Sequence, residues 1–136
     1  MKRRTAREKA LQAIFQIDIS QTTTEDALEH VLEGNPSDHY LNRLVTGVVE
    51  HIEAIDAHIT KHLEKWTLER LAHVDRNLLR LSVYELLYCQ DDVPVNVVID
   101  EAVEIAKIYG DEQSSKFING VLSNVKNTLQ ESSRES

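Results

Sequence analysis

The 136-residue sequence has one cysteine, two prolines, four glycines and one tryptophan, and aromatic residues make up only 5% of it. Each shortage excludes something. A lone Cys89 rules out an intrachain disulfide and points to a reducing compartment; beside Leu87 and Tyr88 it reads as a buried structural thiol. So little glycine and proline, with apolar residues recurring at helical rather than alternating spacing, makes the expected fold class all-α. No stretch approaches the roughly 18 apolar residues of a membrane span. The basic start is followed by amphipathic sequence instead of a secretory core, so the expected protein is soluble, cytoplasmic and mature as written. Also missing are a glycine-rich phosphate loop, a Gly-x-Ser-x-Gly elbow, a Cys-x-x-Cys pair and a His-Glu-x-x-His helix. No catalytic residue, cofactor or metal is therefore expected. His51, His58 and His62 read as a solvated edge, since no cysteine or suitably spaced glutamate joins them.

What is present is unevenly placed. The net charge is −8, which argues against a surface that coats nucleic acid all over. Residues 1–9, however, carry Lys2, Arg3, Arg4, Arg7 and Lys9 against Glu8 alone, while the rest carries ten cations and 22 anions. A positive pole thus sits on an acidic body. These cations open a first helix expected over Thr5–Ile19, where they oppose the macrodipole and an anion would be welcomed. The cluster is either a solvated, frayed terminus or a phosphate-binding site.

The chain is organised around DRNLLRLSVYELLY, residues 75–88, whose apolar positions fall on every side of a helical wheel and predict a buried central helix. Asp75 suits its N-cap. Around it the sequence predicts a short helix after Thr23, a long helix from a Ser37 cap to about Leu63, a helix entered at Pro94, and a last helix from Asp111. Gly47, inside the long helix, predicts close approach of a neighbouring helix. Trp66 is expected to cover a junction between bundles, and the turn signal Asn119-Gly120 inside a helical pattern points to tight packing or function.

Four stretches, in order and spanning nearly the whole chain, carry a resemblance: RRTAREKALQAIFQ, DRNLLRLSVYELLY, PVNVVIDEAVEIAKIYG and KFINGVLSNV. The sequence resembles the NusB family of bacterial transcription antitermination factors, of a Bacillus-like type. The resemblance implies a seven-helix, non-enzymatic fold of two small bundles. It implies one domain over 1–130, with subdomains about 1–64 and 65–130; the polar end of the chain, residues 131–136, is by its own composition expected to be a disordered tail. It further implies pairing with the ribosomal protein NusE, binding of the single-stranded boxA element of nascent RNA, and indirect engagement of other Nus factors and RNA polymerase on ribosomal RNA operons. Some family members self-associate, so a homodimer belongs among the expected states.

The family's arginine-rich motif maps onto Lys2, Arg3, Arg4 and Arg7, with Lys9 added by charge. Arginine forks bond phosphate oxygens and stack on unpaired bases. Phe15 and Phe117 are candidates for base contact, or else core residues. Glu69, Asp75 and Arg76 are candidates for NusE contact, with Asp75 equally readable as a cap alone. Two other functional classes compete: the RNA-binding domain of a ribosomal RNA methyltransferase, which requires a further catalytic domain, and a protein-interaction module without RNA contact.

Overall fold

The computed structural model describes residues 1–135. Among them are seven α-helices, a 3₁₀ turn and no strand: α1 (Arg3–Ser20), α2 (Thr24–Leu32), α3 (His39–Glu50), α4 (Ile52–Lys61), the turn Leu68–Arg70, α5 (His73–Tyr88), α6 (Val95–Tyr109) and α7 (Glu112–Glu135). The expected all-α class and the central position of α5 hold. Helix α5 packs against α1, α3, α4, α6 and α7, and Leu78, Leu79, Leu81 and Leu86 on it are wholly buried. Truncating any one of these leucines to alanine should cost about 2–5 kcal/mol. The apolar core is one contiguous cluster that runs from Ala6 in α1 to Val125 in α7, so the two halves of the chain share it through α5.

Local signals explain most boundaries. Thr23 Oγ1 accepts from the Asp26 N–H at 3.2 Å and starts α2. Pro94, extended at φ −61°, precedes α6, where its missing N–H costs nothing. Four expectations change. The long helix over 37–63 is two helices, broken at His51 (φ −112°, ψ 20°). The break lets α3 lie on α1, α2 and α5 while α4 turns toward α5 and α7. The apolar stripe hides it because both segments bury the same periodic face. The cap of α3 is Asp38, whose Oδ1 accepts from the Leu41 N–H at 2.9 Å, not Ser37. Helix α5 begins at His73 after Ala72, so Asp75 lies inside its first turn and makes no cap bond. Finally, α7 continues through the polar residues expected to be a tail, as far as Glu135; Ser136 lies outside the described residues.

Gly47 behaves as its sequence context predicts: the Tyr84 ring of α5 occupies the space where a Cβ would stand. Gly120 does not, for it faces open space on α7 with no neighbouring atom within 4 Å of a Cβ. Trp66 is 57% exposed, and so projects from the junction instead of covering it.

Candidate nucleic-acid and partner interface

Helix α1 starts without a side-chain cap and without an acidic residue in its first turn, so its amide dipoles and its cations share one end. The five cations then part company. Lys2 is exposed. Arg3 is exposed too; its Nη2 donates to Asp92 Oδ2 at 2.9 Å, and its guanidinium carbon lies 4.1 Å from the centre of the Tyr40 ring. Arg4 bonds Glu101 of α6 through Nε.

Arg7 is different. It is 4% exposed and makes a fork with the equally buried Glu85 of α5, Nε to Oε1 at 2.9 Å and Nη2 to Oε2 at 2.9 Å. The Tyr40 hydroxyl donates to the same carboxylate at 2.6 Å; burial and that carboxylate push the Tyr40 pKa above its ordinary value. Arg7 is thus an internal anchor, which corrects the expectation that its fork is open to phosphate. Lys9 Nζ donates to the Val31 carbonyl at 2.8 Å, closing the end of α2 onto α1, and it too is engaged within the chain.

The other end of α1 meets the start of α5. Asp18 accepts from Arg76 Nε at 3.1 Å and from Asn77 Nδ2 at 3.0 Å, with Arg80 Nη1 3.3 Å away. Burial alone would raise its pKa, but the Arg76 and Asn77 bonds, with the Arg76 and Arg80 charges, hold it below the usual carboxylate range. Arg80 also forks onto Asp56 of α4 at 2.9 and 3.0 Å. Arg76 is 9% exposed and held by Asp18, so its proposed role at a partner surface is corrected as well. Glu69, on the 3₁₀ turn, is exposed.

Phe15 is half-buried, edge-on to His73 with ring centres 6.1 Å apart. Phe117 is half-buried at the start of α7 and lines an open recess of about 290 Å³ with Trp66, Arg70, Asp75 and Ser114. Asp75 Oδ1 is buried in this region with no hydrogen-bond partner among the described residues. Burial raises the Asp75 pKa, the Ser114 hydroxyl offsets part of that, and the nearby Asp111 adds to it, leaving a net upward shift. The structure therefore brings Asp75 and Phe117 together and adds Trp66, which the sequence placed at a junction but not in a site, and Arg70, which it did not single out. Their signal was available: a tryptophan and an arginine in a short polar connection between helices.

Because α1 runs antiparallel to α5, the basic group and the aromatic group occupy opposite ends of the pair. Arg4 and Phe15 are eleven residues apart, about 16 Å along the helix axis. No compact ligand touches both, whereas an extended strand lying along α1 could. Elsewhere, the histidines do not form one edge. His51 stacks on Tyr88 with ring centres 4.2 Å apart, while His62 reaches Thr128 Oγ1 at 3.1 Å. Among the described residues no group of three potential ligands is placed to hold a metal ion, and no helix is long and apolar enough to cross a membrane. Cys89 is buried, which pushes its thiol pKa up.

Fold and surface define the class as an all-helical protein of two bundles around one central helix, with charged and aromatic surface groups at the two ends of its first helix. The NusB family model matches residues 4–127. The chain is 55% identical to the transcription antitermination protein NusB of Bacillus licheniformis over 130 residues, covering 96% of this chain and all of that one. It superposes on a T. maritima NusB structure with a TM-score of 0.83 at 42% identity, covering 92% and 90% of the two chains. It also superposes on a chain from a crystal structure of the antitermination factors NusB and NusE in complex with dsRNA, with a TM-score of 0.84 at 35% identity, covering 93% and 96%. The chain belongs to the NusB family.

Proposed function

We propose that this protein is a cytoplasmic, non-enzymatic transcription antitermination factor that pairs with NusE, binds the boxA element of nascent RNA, and supports processive transcription of ribosomal RNA operons. The observation that carries the reading is its full-length likeness to the NusB chain whose structure holds NusE and RNA together. That neighbour contains double-stranded RNA; a single-stranded target is this chain's proposed variation, suited to an extended track between the two ends of α1.

In this reading Lys2, Arg3 and Arg4 hold phosphates, and Phe15 and Phe117 contact bases. Glu69 and the recess around Asp75 lie where RNA and NusE contacts meet. Arg7 and Arg76 position α1 and α5 without touching either ligand. Phosphate contacts give affinity and register, and base contacts give sequence discrimination.

The test is fluorescence anisotropy of labelled boxA and scrambled RNA, with and without NusE, at two salt concentrations. With two or three phosphate contacts, the log–log slope of affinity against salt should be about −1.5 to −2. Arg3→Ala combined with Arg4→Ala should flatten that slope while leaving NusE binding nearly intact. Equal binding of both RNAs in every mixture, or no RNA binding alongside normal NusE binding, would replace this reading with a protein-interaction module.

A further inference from the structure

The exposed arginines of the basic end are already occupied. Arg3 holds Asp92, at the loop between α5 and α6, and the same Asp92 oxygen lies 3.6 Å from Arg43 Nη1 of α3. Arg4 holds Glu101, a half-buried carboxylate on α6, and Glu104 and Glu8 add to the negative field around it. Both acids come from elements far away in sequence, 89 and 97 residues from their partners, so the fold delivers them to the basic end. A carboxylate presents a guanidinium with the planar pair of acceptor oxygens that a phosphate presents.

We propose that Asp92 and Glu101 are built-in phosphate mimics that restrain RNA binding at the basic end, so that phosphate contacts alone are too weak and base or partner contacts are required. The inference rests on the RNA-binding reading above. An RNA phosphate reaching Arg3 or Arg4 must displace a carboxylate that then returns to water. The Arg3–Asp92 pair is solvent-exposed and the Arg4–Glu101 pair is part-buried; water reaches both, the first more freely, which makes Arg3–Asp92 the weaker and the more easily displaced. They sit on the two arginines that the Arg7–Glu85 anchor holds at the surface, and the acids are unneeded by the core.

The experiment measures binding of labelled boxA and scrambled RNA to wild type, Asp92→Asn, Glu101→Gln, the double variant, and a charge-matched control carrying Glu29→Gln and Glu53→Gln. Each protein is titrated with and without NusE. Glu29 and Glu53 are exposed on α2 and α4, so the control changes net charge equally without freeing an arginine. Each single substitution should tighten both RNAs by about 2–5-fold, the range that exposed ion pairs span, and the double variant should tighten them by about tenfold. The control should gain clearly less. The melting temperature of Asp92→Asn should stay near wild type, since its pair is exposed, and that of Glu101→Gln should fall only slightly, since its pair is part-buried at the surface. A double variant that binds no tighter than the control, or more weakly than wild type, overturns the proposal. If wild type binds boxA with NusE while the double variant only matches the control, the RNA-binding reading stands and the restraint alone falls. If neither wild type nor the double variant binds either RNA with NusE present, both fall.

Discussion

Replacing Glu85 by glutamine separates the two roles that a basic N-terminus can play. Glu85 is 2% exposed and receives three hydrogen bonds from Arg7 and one from Tyr40. Glutamine keeps the shape but leaves the Arg7 cation buried opposite a neutral amide, and removing one partner of a buried pair costs about 3–5 kcal/mol. For a chain of this size that corresponds to a fall in Tm of about 10–15 °C. Arg7→Met should fall by a similar amount, because it strands the carboxylate. The combined Arg7→Met, Glu85→Leu variant removes both charges and should recover to within about 1–2 kcal/mol of wild type, with the unpaired Tyr40 hydroxyl accounting for most of the residue. Urea and thermal unfolding followed by far-UV circular dichroism close the cycle, and RNA titration of the stable double variant completes it. If Arg7→Met melts like wild type yet loses as much RNA affinity as Arg3→Ala, Arg7 is a phosphate ligand and the anchoring argument is wrong.

Three further outcomes follow from the same geometry. Gly47→Ala drives a methyl into the Tyr84 ring and should destabilise by about 1–2 kcal/mol, an overpacking cost of up to about 3 kcal/mol less the gain in helix propensity; an unchanged urea midpoint would contradict the packing assigned to Tyr84. Gly120→Ala, with open space around it on a helix, should stabilise the isolated protein by about 0.5–1 kcal/mol, and a loss of stability would mean that α7 is not helical there. Asp75→Asn should stabilise at neutral pH by about 1 kcal/mol, because it removes a charge that burial disfavours. Since the folded pKa of Asp75 is raised, its cost is absent at low pH and grows as pH rises through that pKa; the gain from asparagine should therefore vanish in acid, and a gain greatest in acid would refute the assignment.

Much of the helical layout is legible in periodicity because α1, α3, α4, α6 and α7 each bury a stripe against α5, α2 buries its own against α1 and α3, and α5 itself lacks a polar face. The readable glycine is Gly47, whose helix offers no other reason for a poor helix former. Asp75 misleads because an acid near a helix start favours either the cap or the first turn, and tertiary packing decides between them. The charged N-terminus is legible as a pole but not as a site. A charge run is one-dimensional, whereas the wheel places Arg7 in register with Leu11 and Ile14, on the buried side of α1. Asp92 and Glu101 carry no local signal at all, since their relation to Arg3 and Arg4 exists only once α6 is laid beside α1.

The buried charges of α1 and α5 also specify how the two helices pair. Arg7 and Asp18 stand at opposite ends of the inner face of α1, and Glu85 and Arg76 stand at opposite ends of α5. The antiparallel arrangement joins Arg7 to Glu85 and Asp18 to Arg76. Reversing α1 would set Arg7 against Arg76 and Asp18 against Glu85, two like-charge contacts in a place with little water to screen them. The leucines and alanines between would bury well either way, so apolar area does not choose the direction and the charges do. With direction chosen, the first turn of α1 must emerge beside the α5–α6 loop and the start of α6, where Asp92 and Glu101 wait for its arginines, and Phe15 must emerge beside His73 at the start of α5. The functional surface is thus a consequence of an orientation set in the interior, which is why Arg7, although it does not face solvent, governs the placement of the residues that do.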